Sequence, residues 1–133
     1  MSFLVNLDVD DLEKAARLYG SAFGLKGGQR VGSFGVEMLG SSAPIHLLVK
    51  APETLVWDTT SQRRDYRRHW TPVHLDFVVD EIESAAQRAI SAGAQLEKPI
   101  ATRKWGKLAL MAAFGHGFCF VQFFGRGYDE IAD

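Results

Sequence analysis

The chain repeats itself. Val5-Asn6-Leu7-Asp8 recurs half a chain later as Val73-His74-Leu75-Asp76. After a two-residue shift, Asp10, Glu13, Ala15, Ala16, Ser21 and Ala22 match Asp80, Glu83, Ala85, Ala86, Ser91 and Ala92, with Leu12 opposite Ile82. Repetition at this spacing constrains the fold more than any single motif. Two copies are too few for a solenoid, so they predict one pseudo-symmetric domain with a cavity where the copies meet.

Residues 71–95 define the unit, because their periodicity changes midway. Val73, Leu75 and Phe77 alternate with His74 and Asp76, the period of two of a half-buried strand. Ile82, Ala85, Ala86, Ala89 and Ile90 then fall on one stripe of an amphipathic helix. Asp80 with Glu83 reads as a capping box, and Gly93 as the left-handed stop. His74 and Asp76 therefore face away from the helix.

The first copy reads as a strand over 3–9, a helix over 11–23 ended by Gly24, and a turn at Gly27-Gly28. Strand material over 29–39 is broken by Gly32 and Gly35, and 45–50 is a closing strand carrying His46. The second copy continues with 95–102, a turn at Trp105-Gly106, 107–113, a turn at Gly115-His116-Gly117 and a closing strand over 118–124. Each unit is strand, helix, then three strands, an α+β class. The expected organisation is one domain over 1–133: a first unit over 1–50, a polar linker over 51–70, a second unit over 71–126 and a tail over 127–133.

A chain of 133 residues with 47% hydrophobic content can bury a core without staples. The single cysteine, Cys119, excludes an internal disulfide and suits a reducing compartment. With no signal-peptide pattern and no run long enough to cross a bilayer, the expectation is a cytoplasmic protein with no membrane partner. A net charge of −1 and a pI near 6.4 argue against a nucleic-acid partner.

A doubled strand-helix-three-strand unit of this length, with VHLDFVVD opening its second copy, resembles the vicinal oxygen chelate superfamily, the glyoxalase/bleomycin-resistance/dioxygenase fold. The resemblance implies curved, cup-shaped sheets under outer helices. It also implies that up to four inward residues meet a divalent metal, one from each opening and each closing strand. The opening-strand positions here are Asn6 and His74. Where the family often reads Gly-Asn-x-x-Glu, this chain reads Gly115-His116-Gly117-Phe118-Cys119, which puts Cys119 at the glutamate position. By the internal repeat, His46 is expected opposite Cys119. The quartet Asn6, His46, His74 and Cys119 contains no carboxylate, so no metal is favoured. If a divalent ion (Zn, Ni, Mn or Fe) binds, His46 and His74 are its ligands.

Each candidate has a bland alternative. His74 is either a proton carrier or a histidine satisfied by Asp76; His46 is either core or cavity lining. Cys119, between Phe118 and Phe120, reads as an inert packing thiol as readily as a cavity residue. Arg64 and Arg68, in a cluster with Arg63 and Arg67, form either a solvated face or a fork for a ligand carboxylate or phosphate. Trp57, Trp70 and Trp105 stand at connections, where they would seal the core or cover a flat ligand. His116, at a turn tip, is expected to be exposed.

Three functions follow. The first is a glyoxalase-like protein that binds, and in one version transforms, a small organic molecule without the usual metal, with His74 as catalytic proton carrier. The second is a metal-dependent lyase or dioxygenase, with Asp8 or Asp76 supplying the carboxylate. The third is a non-catalytic drug-sequestering protein of the bleomycin-resistance kind. The resemblance further implies a homodimer.

Overall fold

Where each helix starts and stops is decided by what satisfies its loose backbone groups. In the computed structural model, which describes residues 1–129, the Asp11 carboxylate accepts from the Lys14 amide at 3.0 Å and Gly24 ends the helix at φ 67°. Gly24 is the stop the sequence predicts, whereas Asp11, expected as the first helical residue, is instead the N-cap. The chain divides into two compact units, Met1–Arg67 and Arg68–Asp133.

The first unit runs β1 (Val5–Val9), α1 (Leu12–Phe23), β2 (Lys26–Val31), β3 (Gly35–Leu39) and β4 (Ile45–Val49). Its sheet has the order β1-β4-β3-β2, so the opening strand pairs parallel with the closing strand and the others add antiparallel. Parallel neighbours need a crossover, which α1 begins. The helix buries Leu12, Ala15, Leu18, Tyr19 and Ala22, while Val9, Val36, Met38, Ile45 and Leu47 are buried from the strands. Burying one such large side chain contributes about 1.5–3 kcal/mol. Burial also pushes the Tyr19 hydroxyl far above the usual tyrosine range.

The second unit repeats the plan with β5 (Leu75–Val78), α2 (Ile82–Ser91), β6 (Gln95–Leu96), β7 (Ala101–Thr102), β8 (Gly106–Ala113) and β9 (His116–Phe123). Here β5 pairs parallel with β9, β9 antiparallel with β8, and β6 and β7 both lie along β8. Residues 95–102 thus form two short strands. Pro99 lies between them and has no amide to give a ladder.

Several expectations are corrected. The box of Asp80 with Glu83 does not cap α2: Glu81 holds the N-cap position without a side-chain bond, and the Ile82 amide donates to Gln122 Oε1 at 2.8 Å. Gly93 does take the positive φ that ends the helix, but Ile90 is left 40% exposed. Gly27-Gly28 lies inside β2, where the register slips between Gly27 and Arg30. A Cβ on Gly28 would come within 2.6 Å of Glu37 Oε2, the movable end of a side chain. The last hairpin turns at Phe114-Gly115, both at positive φ, and His116 already belongs to β9.

The connection expected over 51–70 is fastened to the first unit up to Arg67. Leu55 bridges to Arg63, Arg64 bonds Asp8, and the Tyr66 hydroxyl donates to the Lys50 carbonyl at 2.8 Å. The tail expected over 127–133 lies outside the described residues from position 130 onward.

Gly106 carries a strict steric demand, because a Cβ there would lie 2.0 Å from the Gln122 carbonyl oxygen, a backbone atom held in the β8·β9 ladder. Gly106→Ala is expected to cost about 3 kcal/mol, whereas Gly27→Ala, with nothing near its Cβ, should stay within about 0.5 kcal/mol. Urea unfolding of the two variants measures the difference.

Candidate functional site

The parallel register of β5 with β9 sets the site. It pairs Leu75 with Phe118 and Asp76 with Cys119. His74, two residues before Asp76, shares its side of the chain, because side chains alternate along an extended segment. His74 Nε2 lies 3.4 Å from Asp76 Oδ1. One ligand atom from each of His74, Asp76 and Cys119 can be chosen so that all lie within 4.8 Å of one another.

His74 and Cys119 line a cavity of about 230 Å³ whose walls also include Arg68, Trp70, Glu97 and Gly117. The Arg68 guanidinium forks onto Glu97 through Nε at 3.0 Å and Nη2 at 3.1 Å, and Nη1 donates to the His69 carbonyl at 2.5 Å. The His69 amide in turn donates to the Gly115 carbonyl, which fixes this segment to the β8-β9 hairpin. A Cβ on Gly117 would lie 2.6 Å from Arg68 Nη2, so the guanidinium occupies the space a side chain would fill. Trp70 is 81% exposed at the cavity.

Cys119 is buried, and burial first, then the neighbouring Asp76 carboxylate, pushes its thiol up to about 11. The thiol is hydrogen-bonded to Asp76 and stays protonated at neutral pH, which suppresses nucleophilic reactivity.

Asn6 and His46 lie in the first unit, as direct register partners in β1·β4. Register also corrects the expected equivalence of His46 with Cys119. Asp8 pairs with Leu48 as Asp76 pairs with Cys119, so Leu48 takes the place of Cys119 and His46 that of Gly117. A shift of two residues keeps the same face and is therefore invisible to alternation. His46 Nε2 is 3.6 Å from Oε1 of Glu37, its partner on β3, and Glu37 Oε2 accepts the Gln29 amide at 3.4 Å. Arg64 directs Nε to Asp8 at 2.8 Å and Nη1 to the Leu55 carbonyl at 2.5 Å, and its side chain is only 17% exposed. Its donors thus fasten the segment that follows β4.

Sequence reasoning did not single out Glu97 or Glu37. Glu37 lies on the inner strand β3 and Glu97 just beyond the short edge strand β6, positions whose register could not be counted. It also misplaced His116, whose Nε2 is buried without a hydrogen-bond partner and whose Nδ1 lies 3.3 Å from the Gly117 carbonyl. Of the tryptophans, Trp105 packs on Phe123 at 5.8 Å and Trp57 is largely exposed.

The sequence pattern of the glyoxalase-like domain matches residues 4–121, and the chain belongs to this family, within the vicinal oxygen chelate superfamily. No curated protein matches the sequence. Among solved structures it is similar to the fosfomycin resistance protein FosX from Mesorhizobium loti, at 17% identity and a TM-score of 0.71, covering 98% of this chain and 97% of that one. It is similar to a glyoxalase/bleomycin resistance protein/dioxygenase family enzyme from Burkholderia phytofirmans, at 16% identity and a TM-score of 0.68, covering 91% and 97%. A mutant of FosX from Listeria monocytogenes, at 19% identity and a TM-score of 0.70, covering 96% and 92%, was solved with Mn(II) and dihydroxypropylphosphonic acid. At these identities the likeness is one of fold. No helix among the described residues is long and apolar enough to cross a membrane.

The donors beside the cavity do not fit Mn(II). That ion suits oxygen-rich sets completed by imidazole, whereas His74, Asp76 and Cys119 offer one nitrogen, one carboxylate and a sulfur.

His116 generates a pH prediction. Burial lowers its pKa below 6.5, so the unfolded chain takes up a proton more readily than the folded one. Its contribution to stability is complete above that value and is lost as pH falls through the lowered folded-state pKa. The wild type should lose melting temperature relative to His116→Leu between about pH 7 and about pH 5, measured by parallel thermal melts.

Proposed function

We propose that this chain binds a small polar organic molecule in the cavity of its second unit and transfers a proton to or from it through His74. The observation that carries the proposal is the His74 imidazole, 3.4 Å from the Asp76 carboxylate, on the wall of a cavity of about 230 Å³. A carboxylate beside one ring nitrogen fixes the tautomer and leaves the other nitrogen for a guest.

The remaining walls suit this use. Arg68 can share its fork between Glu97 and a carboxylate or phosphate oxygen of the guest, because guanidinium donors match such groups bidentately. Trp70 offers an exposed ring for the guest's apolar part. Cys119 serves as a protonated wall and a hydrogen-bond partner for Asp76, and is assigned no nucleophilic step. Support from outside the chain is limited to fold, together with the small organic phosphonate held by the Listeria FosX mutant.

The test is a thermal-shift screen of small organic acids and phosphonates on chelator-treated wild type, repeated on Gly117→Leu and His74→Ala. Hits should stabilise the wild type but not Gly117→Leu, whose side chain would displace Arg68 and fill the cavity. For any guest that is turned over, His74→Ala should lower the rate by roughly 10²–10⁴-fold with affinity largely kept. Stabilisation that survives Gly117→Leu places binding elsewhere. Hits without turnover in the wild type leave the sequestering function instead.

A further inference from the structure

The charges on the cavity wall are paired with each other, and that pairing limits which guests they can take. Arg68 and Glu97 both line the cavity and meet through two bonds, Nε at 3.0 Å and Nη2 at 3.1 Å. Beside His74 stands a second carboxylate, Asp76. One guanidinium thus faces two carboxylates, and even a protonated His74 would only balance them. A guest that is purely anionic must compete with Glu97 for Arg68 and is repelled by both carboxylates. A purely cationic guest is opposed by Arg68.

We infer that the guest is a zwitterion, an α-amino acid with an apolar side chain, whose carboxylate docks on Arg68 and whose ammonium docks on Glu97. This rests on the reading of the cavity as the binding site and names its substrate class.

Both wall charges keep capacity for such a guest. A guanidinium has five N–H donors. Glu97 takes two of those on Arg68 and the His69 carbonyl takes one, so two remain, one on each of Nη1 and Nη2. Each Glu97 oxygen accepts one bond from Arg68, and a carboxylate oxygen has room for a second. The two side chains are 45% and 32% exposed, so a guest can reach both. Burial and then Asp76 raise the Cys119 thiol, and the Glu97 charge adds to them, so this carboxylate acts on the cavity wall beyond its own partner.

Adjacency on the wall selects adjacency in the guest. Because the Arg68 and Glu97 charges touch, an ammonium and a carboxylate borne on one carbon can meet both at once, whereas a long spacer sets them apart. Gly117 keeps the guanidinium in this place, since it leaves open the space that Arg68 Nη2 fills. Trp70 and Leu110 supply the apolar part of the wall. A volume of about 230 Å³ lies below the roughly 300–1,000 Å³ of typical ligand pockets, which suits a molecule of amino-acid size.

The test is calorimetric titration of the full-length protein, in chelator, with leucine, methionine and phenylalanine in both L and D forms. Each is set beside the acid that lacks its amino group and the amine that lacks its carboxylate. At least one amino acid should bind roughly tenfold or more tighter than both of its analogues. Glu97→Gln keeps the shape of the wall but frees Arg68, so it should weaken the amino acid and strengthen the acid, shifting their affinity ratio roughly tenfold or more. Should that variant fail to fold, the wild-type comparison decides alone. Acids that bind the wild type as tightly as the amino acids do, or a ratio unmoved by Glu97→Gln, overturn the zwitterion and leave the cavity as the binding site. Binding of no member of the set also overturns it, while phosphonate hits that vanish in Gly117→Leu would still uphold the cavity.

Discussion

Everything in each unit depends on the parallel pairing of the opening strand with the closing strand. The intervening helix cannot bury its apolar stripe until β1 lies against β4, or β5 against β9, because the strands that present the opposing apolar face are supplied by both ends of the unit. Once pairing is made, alternation does the rest. Val9, Ile45 and Leu47 turn to the core in the first unit, while Asn6, His46 and Asp8 fall on the other face. The same pairing brings Asp76 beside Cys119 in the second.

One module has thus been filled with two chemistries. In the first unit, Asn6, His46 and Glu37 make a row across three strands, and the next acidic residue, Asp8, is bonded to Arg64. In the second unit the imidazole has moved to the opening side as His74, and the place of His46 is taken by Gly117. That glycine makes room for the Arg68 guanidinium, which reaches the cavity wall and forks onto Glu97. Glycine at the register place of an imidazole therefore leaves room for the guanidinium. The repeat persists in the backbone and diverges at the residues that line the polar face.

Local periodicity explains why most of the fold could be read in advance. The switch from period two at Leu75 and Phe77 to the helical stripe at Ile82, Ala85, Ala86 and Ala89 lies within a short window, and α1 carries both of its caps in its own sequence. What failed was non-local. The start of α2 is satisfied by Gln122, from the far end of the unit, where no local pattern points to it. His74 and Asp76 were legible as a polar strand face, but which closing-strand residue meets them depends on the length of the Phe114-Gly115 turn, and an error of two residues preserves every in-out assignment. Glu97 enters only because Pro99 interrupts the neighbouring strand and Arg68 folds across to it. His116 looked like a turn-tip residue until the turn proved to be one residue earlier.

The site depends on the β5·β9 register, which can be measured with a single covalent bond. Cys119 is the sole cysteine, so a second one introduced on the opposing strand can close only one intramolecular disulfide. Direct register partners lie within the Cα separation a disulfide tolerates, whereas positions displaced by two residues lie beyond about 7 Å. Under mild oxidation, followed by mass spectrometry of intact protein and of its peptides, Asp76→Cys should form the bond with Cys119, while His74→Cys and Val78→Cys should remain reduced monomers. Bond formation in His74→Cys or Val78→Cys in place of Asp76→Cys would contradict the register, and with it the site built upon it.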